Sequence, residues 1–351
     1  MADDAAASDA SPSESPEFAW TPPTGWIGSG SPGLADEIER TWAQMRDPPL
    51  EDVVSAEEKA KLPPLKAAIL QLMGLDAPPT GFRAHHFTDW KLLCYLRARG
   101  GDVPKSAARA VECIEYLEQG LARLRTYETS ASADHRELLR QNMPNGILGK
   151  DRRGAGVMYQ RMGMWDVPGI GRETGLDTYI AGLWFEVWWS WHLLYQESIA
   201  AGVALVGRLY VVDLAGMYLS RAMRNISYGK QITATFPGKE HPIPEGMSKC
   251  IVTNAPWYVE RVWSALKYSG VIPARTLAKV SIFGDQAKFL AELSKHVDLD
   301  QVPSLFGGSS AAPWRARSAS CVACCPRILT CASSRPTCGR STRSTIPARR
   351  C

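Results

Sequence analysis

The chain predicts an α/β fold, with a small N-terminal all-helical lobe followed by a mainly parallel sheet covered by helices. From about residue 150 onward, short runs that are apolar on both faces, such as 208–214, 250–253 and 280–283, alternate with helical patterns. Strands buried on both faces belong to parallel sheets with helices packed over them. Between residues 34 and 128 the apolar residues recur only at helical spacing, which sets that stretch apart as a lobe of its own.

Taken in order, residues 1–33 are rich in Ala, Ser, Pro and Gly and read as a disordered leader. Its opening is acidic with no basic residue, the opposite of a signal or transit peptide. Residues 34–45 and 54–73 have helical spacing, the second run stopping at Gly74 before Pro78-Pro79. Trp90, Leu93 and Leu96, with Leu92 and Tyr95, give a third helix its apolar stripe, and Gly100-Gly101 ends it. Residues 106–124 make a fourth, with Ala107, Ala110, Val111, Ile114 and Leu117 along one side.

The second unit, residues 140–308, opens with a turn at Lys150–Gly154 and a strand at Gly156–Gln160. A long helix follows from about Gly175, in which Trp184, Trp188, Trp191 and Tyr195 share one side while Ile180, Leu183 and Val187 cover the next. A helix apolar nearly all round is buried or lines an apolar cavity. Asp177, Glu186 and His192 within it argue against a membrane span. Then come a strand at 208–214, a helix at 219–236, a strand at 250–253, a helix at 258–268, a strand at 280–283 and a helix at 285–296.

The formal charge of +4 hides an asymmetry, because residues 309–351 hold eight arginines and no acidic residue. Without that tail the body stands near −4, so the basic balance does not argue for a nucleic-acid partner. Six of the nine cysteines also lie in this stretch, which has no Lys and no apolar periodicity and reads as a disordered or frame-shifted tail. Cys94, Cys113 and Cys250 stand alone in mostly apolar segments, as suits a reducing, cytoplasmic setting. Gly28–Gly33 fits G-x-G-x-x-G but follows no strand, and His85-His86 has no partner at metal-ligand spacing. Asp213, at the end of a strand, has no accompanying His or second acid and reads as a cap for the next helix. No arrangement for nucleophilic, metal or phosphate-loop catalysis is visible, so the chain is not expected to be an enzyme.

Several motifs remain. They are Leu92-Leu93-Cys94-Tyr95-Leu96-Arg97-Ala98-Arg99, Ile243-Pro244-Glu245-Gly246, Asn254-Ala255-Pro256-Trp257, Pro273-Ala274-Arg275-Thr276-Leu277-Ala278-Lys279 and Val302-Pro303-Ser304-Leu305-Phe306-Gly307-Gly308. In this order and spacing the run resembles the CRAL-TRIO lipid-binding family, which includes the yeast-type phosphatidylinositol-transfer proteins. The resemblance implies that residues 140–308 enclose an apolar pocket for one phospholipid, phosphatidylinositol favoured, with no other cofactor. It implies headgroup contacts from Arg99, Glu245, Thr276 and Lys279. An acyl-chain pocket or gate is implied at Trp184, Trp188, Trp191, Val259, Val262, Trp263 and Leu266, with Gly270 as hinge. The implied partners are the phospholipid and, transiently, a membrane surface, with peripheral association from the cytoplasm. A lipid-sensing module that recruits a partner or membrane, and a binder of another hydrophobic small molecule, are the alternatives. Ile243 and Gly246 depart from the Tyr and Arg usual in the family, as Cys94 and Gly100-Gly101 depart from an Arg and a Lys-Phe pair.

The chemistry is reasonable on its own terms. Lys279 is a compact positive charge for a phosphate, Thr276 a hydroxyl donor, and Glu245 an acceptor for sugar hydroxyls or a counter-ion for the lysine. Burying methylenes is worth about 0.8 kcal/mol each, so an apolar cavity offsets most of the cost of taking an acyl chain out of a bilayer.

Overall fold

A computed structural model describes residues 33–51, 53–130, 138–139, 142–234, 243–269 and 274–310. All but the last residue of the expected leader, and the tail from residue 311, lie outside the described residues, as does the hinge expected at Gly270.

The helical lobe is built from α1 (Leu34–Ala43), α2 (Ala56–Leu72), a 3-10 turn (Gly81–Phe87), α3 (Asp89–Ala98) and α4 (Val103–Ser130). Ser55 starts α2 with a reciprocal cap: its hydroxyl accepts from the Glu58 amide at 3.1 Å, and the Glu58 carboxylate accepts from the Ser55 amide at 3.0 Å. The same Glu58 takes the Arg97 guanidinium at 2.7 and 3.0 Å, which ties α3 to α2. Apolar side chains of all four helices, among them Trp42, Leu65, Trp90 and Ile114, form one core continuous with the long tryptophan-rich helix of the second unit.

The second unit runs β1 (Asn145–Lys150), β2 (Gly156–Gln160), α5 (Val167–Thr174), α6 (Leu176–Ala201), β3 (Arg208–Asp213), α7 (Leu219–Ala234), β4 (Met247–Thr253), α8 (Trp257–Ser269), α9 (Ala274–Lys279), β5 (Val280–Ile282) and α10 (Gln286–Leu293). The five strands lie in chain order; β1 pairs antiparallel with β2, and β2 through β5 are parallel. Each parallel step is thus bridged by a helical crossover. The sequence reading missed β1, α5 and α9. The β1 strand begins Asn-Gly and carries a second glycine, and α5 holds Gly169 and Gly171 in eight residues, so local propensity argues against both. Helix α5 forms because Asp166 caps the Gly169 amide at 3.2 Å, and because Gly171 leaves room for the Tyr228 hydroxyl, with which a side chain there would collide. Asp213 does not cap α7. It accepts from the Ala215 amide at 2.8 Å and the Asn254 side chain at 2.9 Å, bracing the loops after β3 and β4.

The pleat decides where an interior can open. Val157 and Tyr159 of β2, Leu209 and Val211 of β3 and Ile251 of β4 point to one face, where Phe289, Leu293, Val302 and Phe306 seal them. The alternate residues, Met158 and Gln160 of β2 and Tyr210 of β3, point the other way, toward α6.

Candidate functional site

Between that second sheet face and α6 lies a cavity of about 290 Å³. Helix α6 contributes Ile180, Leu183, Trp184, Val187, Trp191 and Leu194, one stripe at helical spacing. Trp165, Ile232 and Ile243 close the remaining apolar wall. The structure turns Trp188 away from the cavity: it is 1% exposed and packs edge-on against Trp42 at 5.1 Å, inside the core shared with the helical lobe. Trp184 and Trp191 line the cavity and also touch the helical lobe, through Tyr116 at 5.2 Å and Trp90 at 5.4 Å, whereas Trp188 packs only into the shared core. Behind Trp191 the Lys91 ammonium stands 3.2 Å from the ring centroid, and burial brings this lysine down to about 7.

The cavity is not uniformly apolar. Glu186 of α6, Gln160 of β2, and Ser190 and Tyr210 of α6 and β3 form one polar stretch of its wall. Burial pushes the Glu186 carboxyl up to about 7, against hydrogen bonds from Asn145 and Gln160 that favour its charged form. The Asn145 amide donates to Glu186 Oε1 at 3.0 Å. The sequence signal for this group is a carboxylate in the middle of a mostly apolar stretch of α6.

The loop before β4 joins the cavity to a charged cluster. Ile243 and Gly246 line the cavity, and between them Glu245 adopts a left-handed backbone with φ 57°. That conformation costs a residue other than glycine on the order of 1 kcal/mol or more. It is held by Gly207, whose own φ of 69° lets the β3 approach run against the Glu245 carbonyl and Ser248 amide. The Glu245 carboxylate takes Arg275 at 2.7 Å and Lys279 at 2.9 Å, both from α9, and Lys279 also donates to the Met247 carbonyl at 2.9 Å. Thr276 sits half-buried on the same short helix and makes no side-chain hydrogen bond among the described residues. Of the residues the resemblance implied, Glu245 and Lys279 meet in an ion pair, and Thr276 lies on the same short helix as Lys279. Arg275 joins them, although it was not singled out. Arg99 stands at the C-terminal end of α3, its guanidinium 3.4 Å from the Ala98 carbonyl.

None of the described side chains of α8 lines the cavity: Val259 packs on a small cluster with Val212 and Val252, Val262 is largely exposed, and Trp263 borders a separate, more open pocket with Ile282 and Lys288. The side chain of Leu266 lies outside the described residues. Among the described residues no group of three or more His, Cys, Asp and Glu side chains is placed to hold a metal ion, and no helix is long and apolar enough to cross a membrane.

Residues 140–308 match the family model described as CRAL/TRIO domain. That part of the chain is similar to the CRAL/TRIO domain family. The chain is 25% identical over 249 residues to the SEC14 cytosolic factor of Candida glabrata, covering 70% of this chain and 78% of the relative. Against the Sec14 cytosolic factor of Schizosaccharomyces pombe it is 23% identical over 252 residues, covering 70% and 83%. The phosphatidylinositol/phosphatidylcholine transfer protein SFH11 of Arabidopsis thaliana is 24% identical over 185 residues, 49% of this chain. The chain spans only 44% of SFH11 and 33% of the Anopheles gambiae Protein real-time. Among solved structures, the crystal structure of Sfh5 matches with a TM-score of 0.47 at 16% identity, covering 67% of this chain and 82% of that one. The described lining of the cavity, the loop of Glu245 and the sheet all fall within the matched residues 140–308, while Lys91 and Arg99 lie in the helical lobe before them.

Proposed function

We propose that this chain binds one phospholipid, phosphatidylinositol in the first instance, and carries it between membranes. The observation that supports this reading is the loop of residues 243–246, which supplies apolar wall to the cavity through Ile243 and Gly246 and anchors a cluster with two cations to one carboxylate through Glu245. An acyl chain in the cavity then places its phosphate beside Arg275, Thr276 and Lys279. Binding replaces the Glu245 carboxylate by the phosphate as the partner of Lys279, and leaves Glu245 to accept from headgroup hydroxyls. Helix α8 is the proposed gate, and its exposed Trp257, with Leu219, Met223 and Ile226 on α7, is the proposed membrane-facing surface. Arg221, Arg224 and Arg261 on the same two helices add positive charge toward anionic lipid.

Two measurements test this. Mass spectrometry of lipid released from the purified protein should show phospholipid, and labelled phosphatidylinositol should move between vesicles; an empty protein that moves none sinks the reading. Lys279→Ala should cut phosphatidylinositol transfer about ten-fold, the loss of one charge-assisted contact worth about 1.5 kcal/mol, while uptake of a lipid without phosphate is unchanged.

A further inference from the structure

The interior of the helical lobe holds a lysine without a polar partner. Lys91 of α3 is 5% exposed, and its side chain makes no hydrogen bond or ion pair among the described residues. Three indoles surround it instead, the ring centroids of Trp191, Trp42 and Trp90 lying 3.2, 5.0 and 5.3 Å from Nζ. We infer that Lys91 is a modification site for carbon dioxide: its amine adds CO2 to form a carbamate, and His85 takes the displaced proton. Both residues lie outside the cavity, so the inference goes beyond the phospholipid reading and does not depend on it.

The surroundings lack an anion and hold partners for one. His85, on the 3-10 turn, is fully buried, and its Nδ1 donates to the Phe82 carbonyl. That leaves Nε2 as a lone pair, and the atom has no partner. The Trp42 ring joins the two residues, its centroid 4.6 Å from that of His85 and 5.0 Å from Lys91 Nζ. Trp188, with its ring 6.5 Å from that of His85, carries an indole N–H without an acceptor. Two carboxylates stand by these aromatic side chains and are committed: Glu37 meets His192 at 3.4 Å, and Asp47 accepts from the Trp90 amide at 3.0 Å. His86, its ring 3.7 Å from that of His85, is bound to the Tyr95 hydroxyl at 2.9 Å. The thiols that act on Lys91 are Cys94 on α3 and Cys113 on α4, and burial pushes Cys94 up to about 12, so it brings no negative charge.

An anion made from Lys91 itself answers these vacancies. Burial favours the uncharged amine, and only that form is a nucleophile. Its lone pair forms a bond to the carbon of CO2, one C=O electron pair moves onto oxygen, and the proton lost from nitrogen passes to His85 Nε2. Nothing is oxidised or reduced. Before the reaction, burial and the Lys91 charge hold His85 well below the usual imidazole range. The carbamate reverses the sign of the second effect, so a buried cation without a counter-ion gives way to a hydrogen-bonded ion pair. Access selects the reagent: CO2 is small and uncharged, whereas bicarbonate would first have to shed its hydration. Trp191 also lines the cavity, so the modification changes the charge behind one of its walls.

The full chain in carbon-13-labelled bicarbonate at about pH 8, above the value of about 7 to which burial brings Lys91, should show a carbamate carbon resonance. Lys91→Met, which keeps an unbranched side chain among the indoles, and Lys91→Arg, which keeps the charge, should both lack it. Esterification of the unaltered protein with a trialkyloxonium salt, followed by peptide mass spectrometry, should place the trapped carbamate on Lys91. His85→Phe, which keeps the aromatic packing, should lower its occupancy about ten-fold, the worth of one charge-assisted contact. Trapping that leaves Lys91 unmodified overturns the inference without recourse to any variant. A resonance that persists in Lys91→Met, or an occupancy unchanged in His85→Phe, overturns it as well.

Discussion

Two carboxylates, Glu186 in the cavity wall and Glu245 in the loop beside it, face opposite conditions. Glu245 has two cations within 3 Å, whereas Glu186 has only neutral donors and a wall that excludes water. The consequence is a pH signature. An acid raised from 4.5 to about 7 in the folded state binds its proton more tightly there than in the unfolded chain. Its contribution to stability is therefore fully present below about pH 4.5 and is lost as pH rises toward 7, a change on the order of 3 kcal/mol at most. Glu186→Gln, which stays neutral, should raise the melting temperature at pH 8 and have little effect at pH 4.5; an equal shift at both would refute the assignment. Glu58 has the opposite sign. The Arg97 guanidinium holds it at about 2, so the tie between α2 and α3 contributes above pH 4.5 and is lost as pH falls toward 2. Arg97→Met should weaken the fold at pH 7 and have little effect near pH 2, measured by denaturant titration at the two values.

At the scale of elements, α6 is the hinge of the architecture, because it meets both the helical lobe and the cavity. Its contact with α4 is made through Gly120, where an added Cβ would lie 2.7–2.9 Å from the Trp184 ring. Alanine is the better helix former by up to about 1 kcal/mol, but overpacking against a buried ring costs typically 1–3 kcal/mol. Gly120→Ala should accordingly destabilise the protein by about 1 kcal/mol in chemical denaturation and narrow the cavity that Trp184 lines. The helical character of α6 could be read from its apolar periodicity, as could the strands β2, β3, β4 and β5. Which tryptophans line the cavity could not, because Trp184, Trp188 and Trp191 are equally apolar and differ only in what packs against them. The short α9 was hidden for a related reason: six residues with no buried side chain carry no periodic signal, and its place is decided by Arg275 and Lys279 reaching Glu245.

Across the whole molecule, α7 and α8 leave Tyr218, Leu219, Met223, Ile226, Trp257 and Val262 exposed, and the two segments are joined where the Tyr258 hydroxyl donates to the Met217 carbonyl at 2.8 Å. If this surface meets lipid as proposed, Trp257→Ala should lower vesicle association about ten-fold, since burying one large apolar side chain is worth roughly 1.5–3 kcal/mol. Sedimentation with vesicles containing anionic lipid should show that loss, together with weakening by salt through the neighbouring arginines; unchanged sedimentation would remove the surface from the mechanism. The helical character of the N-terminal part and the alternation of β2 to β5 with their main helices were legible in the sequence, because periodicity and strand burial are local properties, whereas β1, α5 and α9 were not. The pairing of Glu245 with Lys279 was suggested only by the resemblance of their two motifs to a known family, since about thirty residues separate them in the chain. The cavity's position, its polar inner wall and which tryptophans of α6 line it were decided by tertiary structure. Asn145, Gln160, Glu186 and Tyr210 come from four different elements, and only the sheet's pleat and the packing of α6 across it bring them to one wall.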